Sequence, residues 1–301
     1  MIGPVHADAI GFTLPHEHLF LTMWENHGGA SMLQLADEAV LLSELEAFQA
    51  AGGTCLVDQT PRGCGRDPAR VKRLAEQSGL SIVMGCGWYT EPFYPAEDDL
   101  TRRSVDAIAD QLLAEIQGGM DGTDIKPGLI GEIGVAKGWI SPLEERVHRA
   151  AARAQTQTGL PLSTHTMFHE VGLAQLDLFA EEGVDLQKVC IGHCDSQPYL
   201  DYCLSVVERG AYVAFDNLGA QMGRLEERIV GLIKELASRG HHTQILLSHD
   251  VGQMHALSYF GGRGFTYEAE VFVPRLLSAG VSEDTVNDLI ITNPKRFLSV
   301  S

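Results

Sequence analysis

Short apolar runs alternate with amphipathic stretches along the whole chain. Residues 13–19, 54–58, 81–86, 128–133, 160–165, 188–192, 211–215 and 244–248 form brief, largely apolar runs, which predicts strands. Residues 37–51, 67–78, 104–117, 142–158, 171–182, 199–209, 225–238 and 268–279 carry helical periodicity. In 142–158, Leu143, Val147, Ala150, Ala151 and Ala154 recur at the spacing of one buried helix face. Continuous apolar strands, each followed by a helix, predict a parallel sheet covered by helices. Eight such units in 301 residues fit a closed (β/α)8 TIM barrel. The competing fold, a doubly wound open sheet, would usually place a Gly-rich phosphate turn after its first strand. Here that position holds His16-Glu17-His18, and Gly52-Gly53 precedes a strand, as a helix cap and turn would. No fixed-period repeat, low-complexity tract or Ser/Pro-rich linker divides the chain, so residues 1–301 are expected to form a single domain.

Charge narrows the partners. Lys and Arg number 22 against 40 Asp and Glu, a formal net charge of −18. That balance argues against nucleic acid, whose affinity comes from neutralising phosphates, and against an anionic membrane surface. A small-molecule substrate is the expected partner. No run approaches the ~20 apolar residues that span a bilayer, and residues 1–8 lack the basic and apolar regions of a secretory signal. Six cysteines with no CxxC pair are too sparse for a disulfide framework, so a reducing, cytoplasmic setting is expected.

Active-site groups of such a barrel sit at the C-terminal ends of its strands. The polar residues predicted there are His16 and His18 on strand one, Glu132 on strand four and His165 on strand five. His193 follows strand six and Asp250 strand eight. His16 and His18 are two apart, so both point to one side. A lone His-x-His is common by chance; four further ligand-type residues at strand ends give it weight. Imidazole and carboxylate without thiolate suit Zn, Mn, Co or Fe, with Zn the most available. Six ligands exceed what one tetrahedral ion needs and fit two divalent ions bridged by a carboxylate and a water. Such a pair holds hydroxide at neutral pH for attack on a carbonyl or phosphoryl centre, and it neutralises the developing oxyanion.

Other polar positions have plainer readings. His6, His27, His148, His169, His241 and His242 fall in predicted loops, helices or turns and read as ordinary surface histidines. His249, adjacent to Asp250, should point the other way and serve as a structural hydrogen-bonding residue. Asp58 ends strand two, either as a ligand or as support for one. Trp88, Tyr89, Phe93 and Tyr94 cluster after strand three and Trp139 follows strand four, each as substrate wall or as packing. Within 261–264, Gly-Gly-Arg-Gly, Arg263 could hold a phosphate or stand solvated. Cys190, Cys194 and Cys203 could ligate a metal in principle, but Cys190 lies within a strand and reads as a small buried hydrophobe.

Taken together, several motifs resemble the phosphotriesterase family of the amidohydrolase superfamily. They are Gly3-Pro4, 11–18 (GFTLPHEH), 131–134 (GEIG), 163–166 (STHT), 191–195 (IGHCD), 247–250 (LSHD) and 292–298 (TNPKRFL). The likeness spans essentially the whole chain and is nearest to a bacterial branch with a bridging glutamate. It implies that His16, His18 and Asp250 bind a buried ion and that His165 and His193 bind a more exposed one. Glu132 would bridge them where many relatives use a carboxylated lysine. Lys126, before the Pro127-Gly128 turn, and Lys137, past the strand, fit that role less well. Asp250 would also act as general base. Tyr89 matches a tyrosine that contacts the metal-bound hydroxide in lactonase relatives.

Organophosphate-degrading members carry a histidine after the strand-seven aspartate, whereas here Asp216 is followed by Asn217. The relay carboxylate expected after the strand-six histidine is matched only loosely by Asp195, which Ser196 follows. The resemblance therefore implies a binuclear hydrolase whose bridging hydroxide attacks the carbonyl of a lactone or carboxylic ester. The alternatives are an organophosphate triesterase and a non-catalytic metal or small-molecule binding barrel. Relatives acting on phosphorylated sugar lactones carry basic residues just after the strand-eight aspartate, and 251–255 has no Lys or Arg. Candidate substrate contacts are Trp88, Tyr89, Trp139, Asn217, His255 and Arg263. A homodimer is the assembly the family suggests.

Overall fold

A computed structural model describes residues 3, 5–23, 35–220 and 224–300; Pro4 and His27 lie outside them. Eight strands form one sheet: β1 (Phe12–Glu17), β2 (Gly53–Asp58), β3 (Ser81–Cys86), β4 (Leu129–Val135), β5 (Leu162–Thr166), β6 (Val189–Ile191), β7 (Tyr212–Phe215) and β8 (Ile245–Leu247). They pair in chain order and always in parallel. Between β8 and β1 the His16 N–H donates to Ser248 Oγ at 3.0 Å, and the Asp250 N–H donates to the His16 carbonyl at 3.1 Å. The (β/α)8 barrel thus draws closed at two residues predicted to bind metal.

Helices follow the strands: α1 (Glu38–Ala50), α2 (Pro68–Ser78), α3 (Val105–Gly118), α4 (Pro142–Thr158), α5 (Gly172–Glu181), α6 (Leu200–Val207) and α7 (Arg224–Ser238). Helix α4 shows why the sequence folds this way. Ser141 caps it in a reciprocal box with Glu144, Pro142 occupies its first turn, and Gly159 ends it in the left-handed region. Its predicted stripe, Leu143, Val147, Ala150, Ala151 and Ala154, is buried. Strand alternation splits the core in two. Cys55, Val57, Leu129, Cys190, Ala214 and Leu246 pack together with Phe297 and Leu298, while Leu56, Ile130, Ile191, Val213 and Ile245 join the helices.

The chain end departs from the prediction. Residues 268–279 were expected as one helix; a π-helical turn, Glu268–Phe272, leads into α8 (Val273–Ser278). Helix α9 (Glu283–Asn287) and a second π turn, Asp288–Thr292, precede α10 (Asn293–Leu298). Each π turn stands just before a proline-bearing first turn, Pro274 and Pro294. A proline has no N–H for the i−4 carbonyl, so the ladder shifts register upstream of it.

His148 corrects a second expectation. It is completely buried on α4, not on the surface. Its Nδ1–H donates to the Glu144 carbonyl at 2.7 Å, and its Nε2 accepts from Gln175 Nε2 at 3.0 Å. The same Gln175 amide donates to the His165 carbonyl at 3.3 Å, which ties the helix layer to the end of β5. Burial pushes the His148 imidazole down to about 4. The unfolded chain therefore takes up a proton that the folded one refuses. This contribution is complete above the unfolded value near 6.5 and is lost as the pH falls towards 4. Urea unfolding of metal-free protein should show wild type losing roughly 2 kcal/mol more than His148→Gln between pH 8 and pH 5. Equal losses would contradict this reading.

Candidate metal centre

Glu132 occupies the middle of the site because β4 and β5 approach closely. Gly131, at φ +147°, has no room for a side chain: a Cβ there would lie 2.7 Å from the Ser163 carbonyl. That contact brings Glu132 Oε2 to 3.0 Å from His165 Nδ1 and to 3.5 Å from His193 Nε2. The same oxygen lies 3.6 Å from His16 Nε2, and Oε1 lies 3.6 Å from His18 Nε2. Asp250 Oδ1 closes the far side, 3.1 Å from His18 Nε2 and 3.9 Å from His16 Nε2. All six predicted ligands are therefore brought together. Two triads, His16–Glu132–His193 and His16–His18–Asp250, each hold their donor atoms within 4.8 Å of one another.

Each imidazole is aimed from behind. Asp216, at the end of β7, accepts from His16 Nδ1 through Oδ2 and from His193 Nδ1 through Oδ1, both at 2.8 Å. The His193 backbone N–H also donates to Oδ1, at 2.9 Å. One buried carboxylate so turns two histidines inward from opposite sides. Gly192 allows the approach, because a Cβ there would meet the Thr164 carbonyl at 2.2 Å. His18 Nδ1 pairs with Thr60 Oγ1 at 3.0 Å, and that hydroxyl donates to Asp58 Oδ1 at 2.6 Å. Of the two readings of Asp58, the structure shows support for a ligand. Tyr89 OH lies 3.1 Å from His165 Nε2 and fixes the remaining ring.

The electrostatics suit a cation. Burial would raise the Glu132 carboxyl, but His165 and His16 beside it hold it well below the usual range. Burial would likewise raise Asp216, and His193 and His16 hold it down. His16 and His193, which burial would keep neutral, are raised well above the ordinary imidazole value by Asp216. Without metal, protons offset the buried carboxylates, and a divalent ion would displace them. His16 Nε2 is buried with no hydrogen-bond partner among the described residues. It faces two carboxylate oxygens too distant for a hydrogen bond, which fits a ligand nitrogen. Thiolates do not compete: the six cysteines are buried and free, and burial pushes Cys64, near Glu132, up to about 12.

The candidate substrate contacts are placed unevenly. Asn217 is buried and bonded to Asp195, its N–H at 2.6 Å and its Nδ2 at 3.3 Å. Burial, then Asp216, pushes Asp195 up to about 7. Trp88 is buried, its Nε1 donating to Asp98 at 2.6 Å. Trp139 is exposed beneath Lys137, whose Nζ lies 5.1 Å from the ring centroid. His255 is exposed on the turn Met254–Ala256. Arg263 donates to the carbonyls of His249 and Asp250. Lys126 and Lys137 are exposed, so of the residues weighed for the bridging role only Glu132 stands among the histidines. Sequence reasoning passed over Asp216 and Thr60 as partners of the ligands. Asp216 had a signal, since it is the first polar residue after the apolar run 211–215; Thr60 had none.

A (β/α)8 barrel with four histidines and two carboxylates gathered at its strand ends has the layout of a metal-dependent hydrolase. Residues 1–298 match the model of the phosphotriesterase family, and the chain belongs to that family. It is 36% identical over 292 residues to the phosphotriesterase homology protein of Escherichia coli, covering 96% of this chain and 98% of that one. It is 30% identical over 343 residues to human N-acetyltaurine hydrolase, covering 99% and 97%. The crystal structure of the lactonase Lmo2620 from Listeria monocytogenes superposes with a TM-score of 0.92 at 26% identity, covering 99% and 98%. These relatives include hydrolases, and the family's members are binuclear metal enzymes. Among the described residues no helix is long and apolar enough to cross a membrane.

Proposed function

We propose that the protein hydrolyses a lactone or carboxylic ester at a pair of divalent cations, Zn on grounds of availability. The observation that carries this reading is His16 Nε2, a buried nitrogen without a hydrogen-bond partner among the described residues that faces Glu132 at 3.6 Å and Asp250 at 3.9 Å. Two such cations, when bound, supply the Lewis acidity that ionises water at neutral pH and offsets an oxyanion. His16, His18 and Asp250 would hold one, His165 and His193 the other, and Glu132 would span both. The Asp250 side chain is 21% exposed against 4% for Glu132, so it is the carboxylate that opens to solvent. There it can take up the proton released as the nucleophile's O–H bond is consumed. Asp216, Thr60 and Tyr89 keep the ligand rings oriented while this happens.

Attack on carbon is favoured over phosphorus by Asn217. An amide has no titratable proton to relay, and this one is engaged with Asp195. The likeness to a lactonase supports the lactone or ester. The likeness to N-acetyltaurine hydrolases favours a second reading, hydrolysis of an N-acyl amide, which also places the attack on a carbonyl. Metal-loaded protein assayed on lactones, aryl esters, N-acyl amides and an aryl phosphotriester should give kcat/KM at least about tenfold higher on a lactone or ester than on the phosphotriester. A preferred amide would select the second reading, and a preferred phosphotriester would overturn both. No turnover on any of them, with Asp250→Asn leaving ligand binding intact, would identify a binding barrel.

A further inference from the structure

Asp250 lies in the left-handed region, at φ 50°, a conformation that an aspartate keeps only where its surroundings hold it. Two side chains outside the ligand set hold this one. Glu17, fully buried at the end of β1 between the predicted ligands His16 and His18, gathers four donors from beyond the end of β8. Its Oε1 accepts from the His249 N–H and Ser248 Oγ, both at 2.8 Å, and from His249 Nδ1 at 3.0 Å. Its Oε2 accepts from the Val251 N–H at 2.9 Å. On the other side, Arg263 Nη2 donates to the His249 carbonyl and, at 3.2 Å, to the Asp250 carbonyl. The amides flanking Asp250 are thus held by a carboxylate and the carbonyls by a guanidinium, while the Asp250 N–H bonds to His16. His249 is fixed in turn, its Nε2 accepting the Glu268 N–H at 2.9 Å.

We infer that Glu17 and Arg263 are positioning residues that clamp the Asp250 backbone, and so aim its carboxylate at the site shared with His16 and His18. Four donors converge on Glu17, which a neutral amide cannot satisfy, because its NH2 must face one of them. The role of the middle residue of His16-Glu17-His18 is then to orient a ligand on the opposite side of the barrel seam. This inference rests on the metal-site reading and needs no turnover to be tested.

The experiment is a double-mutant cycle on metal affinity in the full chain, measured with Zn by chelator competition. Glu17→Gln should weaken one metal equivalent by about tenfold or more and leave the other unchanged. Asp250→Asn should weaken the same equivalent, and the double variant should be no weaker than Asp250→Asn alone. Arg263→Met should repeat the pattern from the carbonyl side, and Arg263→Lys, which keeps a donor, should restore most of the affinity. Should Glu17→Gln fail to fold, the Arg263 series carries the same cycle. Additive losses, or both equivalents weakened alike, would overturn the clamp. Intact coupling in a protein that hydrolyses nothing would uphold the clamp and reject the hydrolase.

Discussion

Replacing Glu132 with alanine is expected to release at least one of two bound metal equivalents and to lower kcat/KM by at least ~10²-fold, since disturbing even the partners of metal ligands costs 10–100-fold. The expectation follows from where the carboxylate stands. Its Oε2 lies within 3.6 Å of three histidines, and its Oε1 faces the fourth. Neither lysine weighed for the role can replace it: Lys137 sits against Trp139, and Lys126 is exposed. The four histidines would then surround two cations without the carboxylate shared between them, and their mutual repulsion would favour loss of one ion. Elemental analysis of Glu132→Ala reads the outcome directly. Retention of two equivalents would remove glutamate from the bridging role.

The next largest effect is expected at Asp216, which touches no substrate in this reading. Asp216→Ala should lower kcat/KM by roughly 10²-fold, the upper end of the 10–100-fold typical for the loss of a ligand's partner. The reason is that one carboxylate serves two ligands, His16 at the end of β1 and His193 after β6. Removing it leaves two buried Nδ1–H groups unsatisfied and both rings free to turn. Asp216→Asn should harm the two histidines unequally, because one amide end accepts while the other donates. Thr60→Val, which unpins only His18, supplies the comparison, with a loss on the order of tenfold. Equal losses in Asp216→Ala and Thr60→Val would refute the shared anchor.

The barrel was legible because its signal is local. Alternation of apolar runs and amphipathic stretches is written into neighbouring residues, and β3 (Ser81–Cys86) and α4 (Pro142–Thr158) lie where that pattern puts them. The C-terminal segments α9 and α10 were not legible. Each is under two turns long, and prolines break the ladder before a period can establish itself. His148 was misplaced for a related reason. A histidine in a helix looks solvated until its partners are known, and Gln175 comes from the next helix along.

The ligand set was readable because a polar residue at the end of an apolar strand is unusual by itself, and the fold gathers strand ends whatever lies between them. His16, His18, Glu132, His165, His193 and Asp250 could be named from that rule and from the family resemblance. What the sequence could not give was aim. Asp216 reaching two histidines, the Thr60 hydroxyl reaching His18, and Glu17 gripping the chain beside Asp250 are contacts between segments well separated in the chain. Hydrophobic periodicity determines which residues arrive at the barrel mouth. Only the closed barrel, by bringing those segments together, determines which nitrogen of each imidazole faces inward and which side chain holds it there.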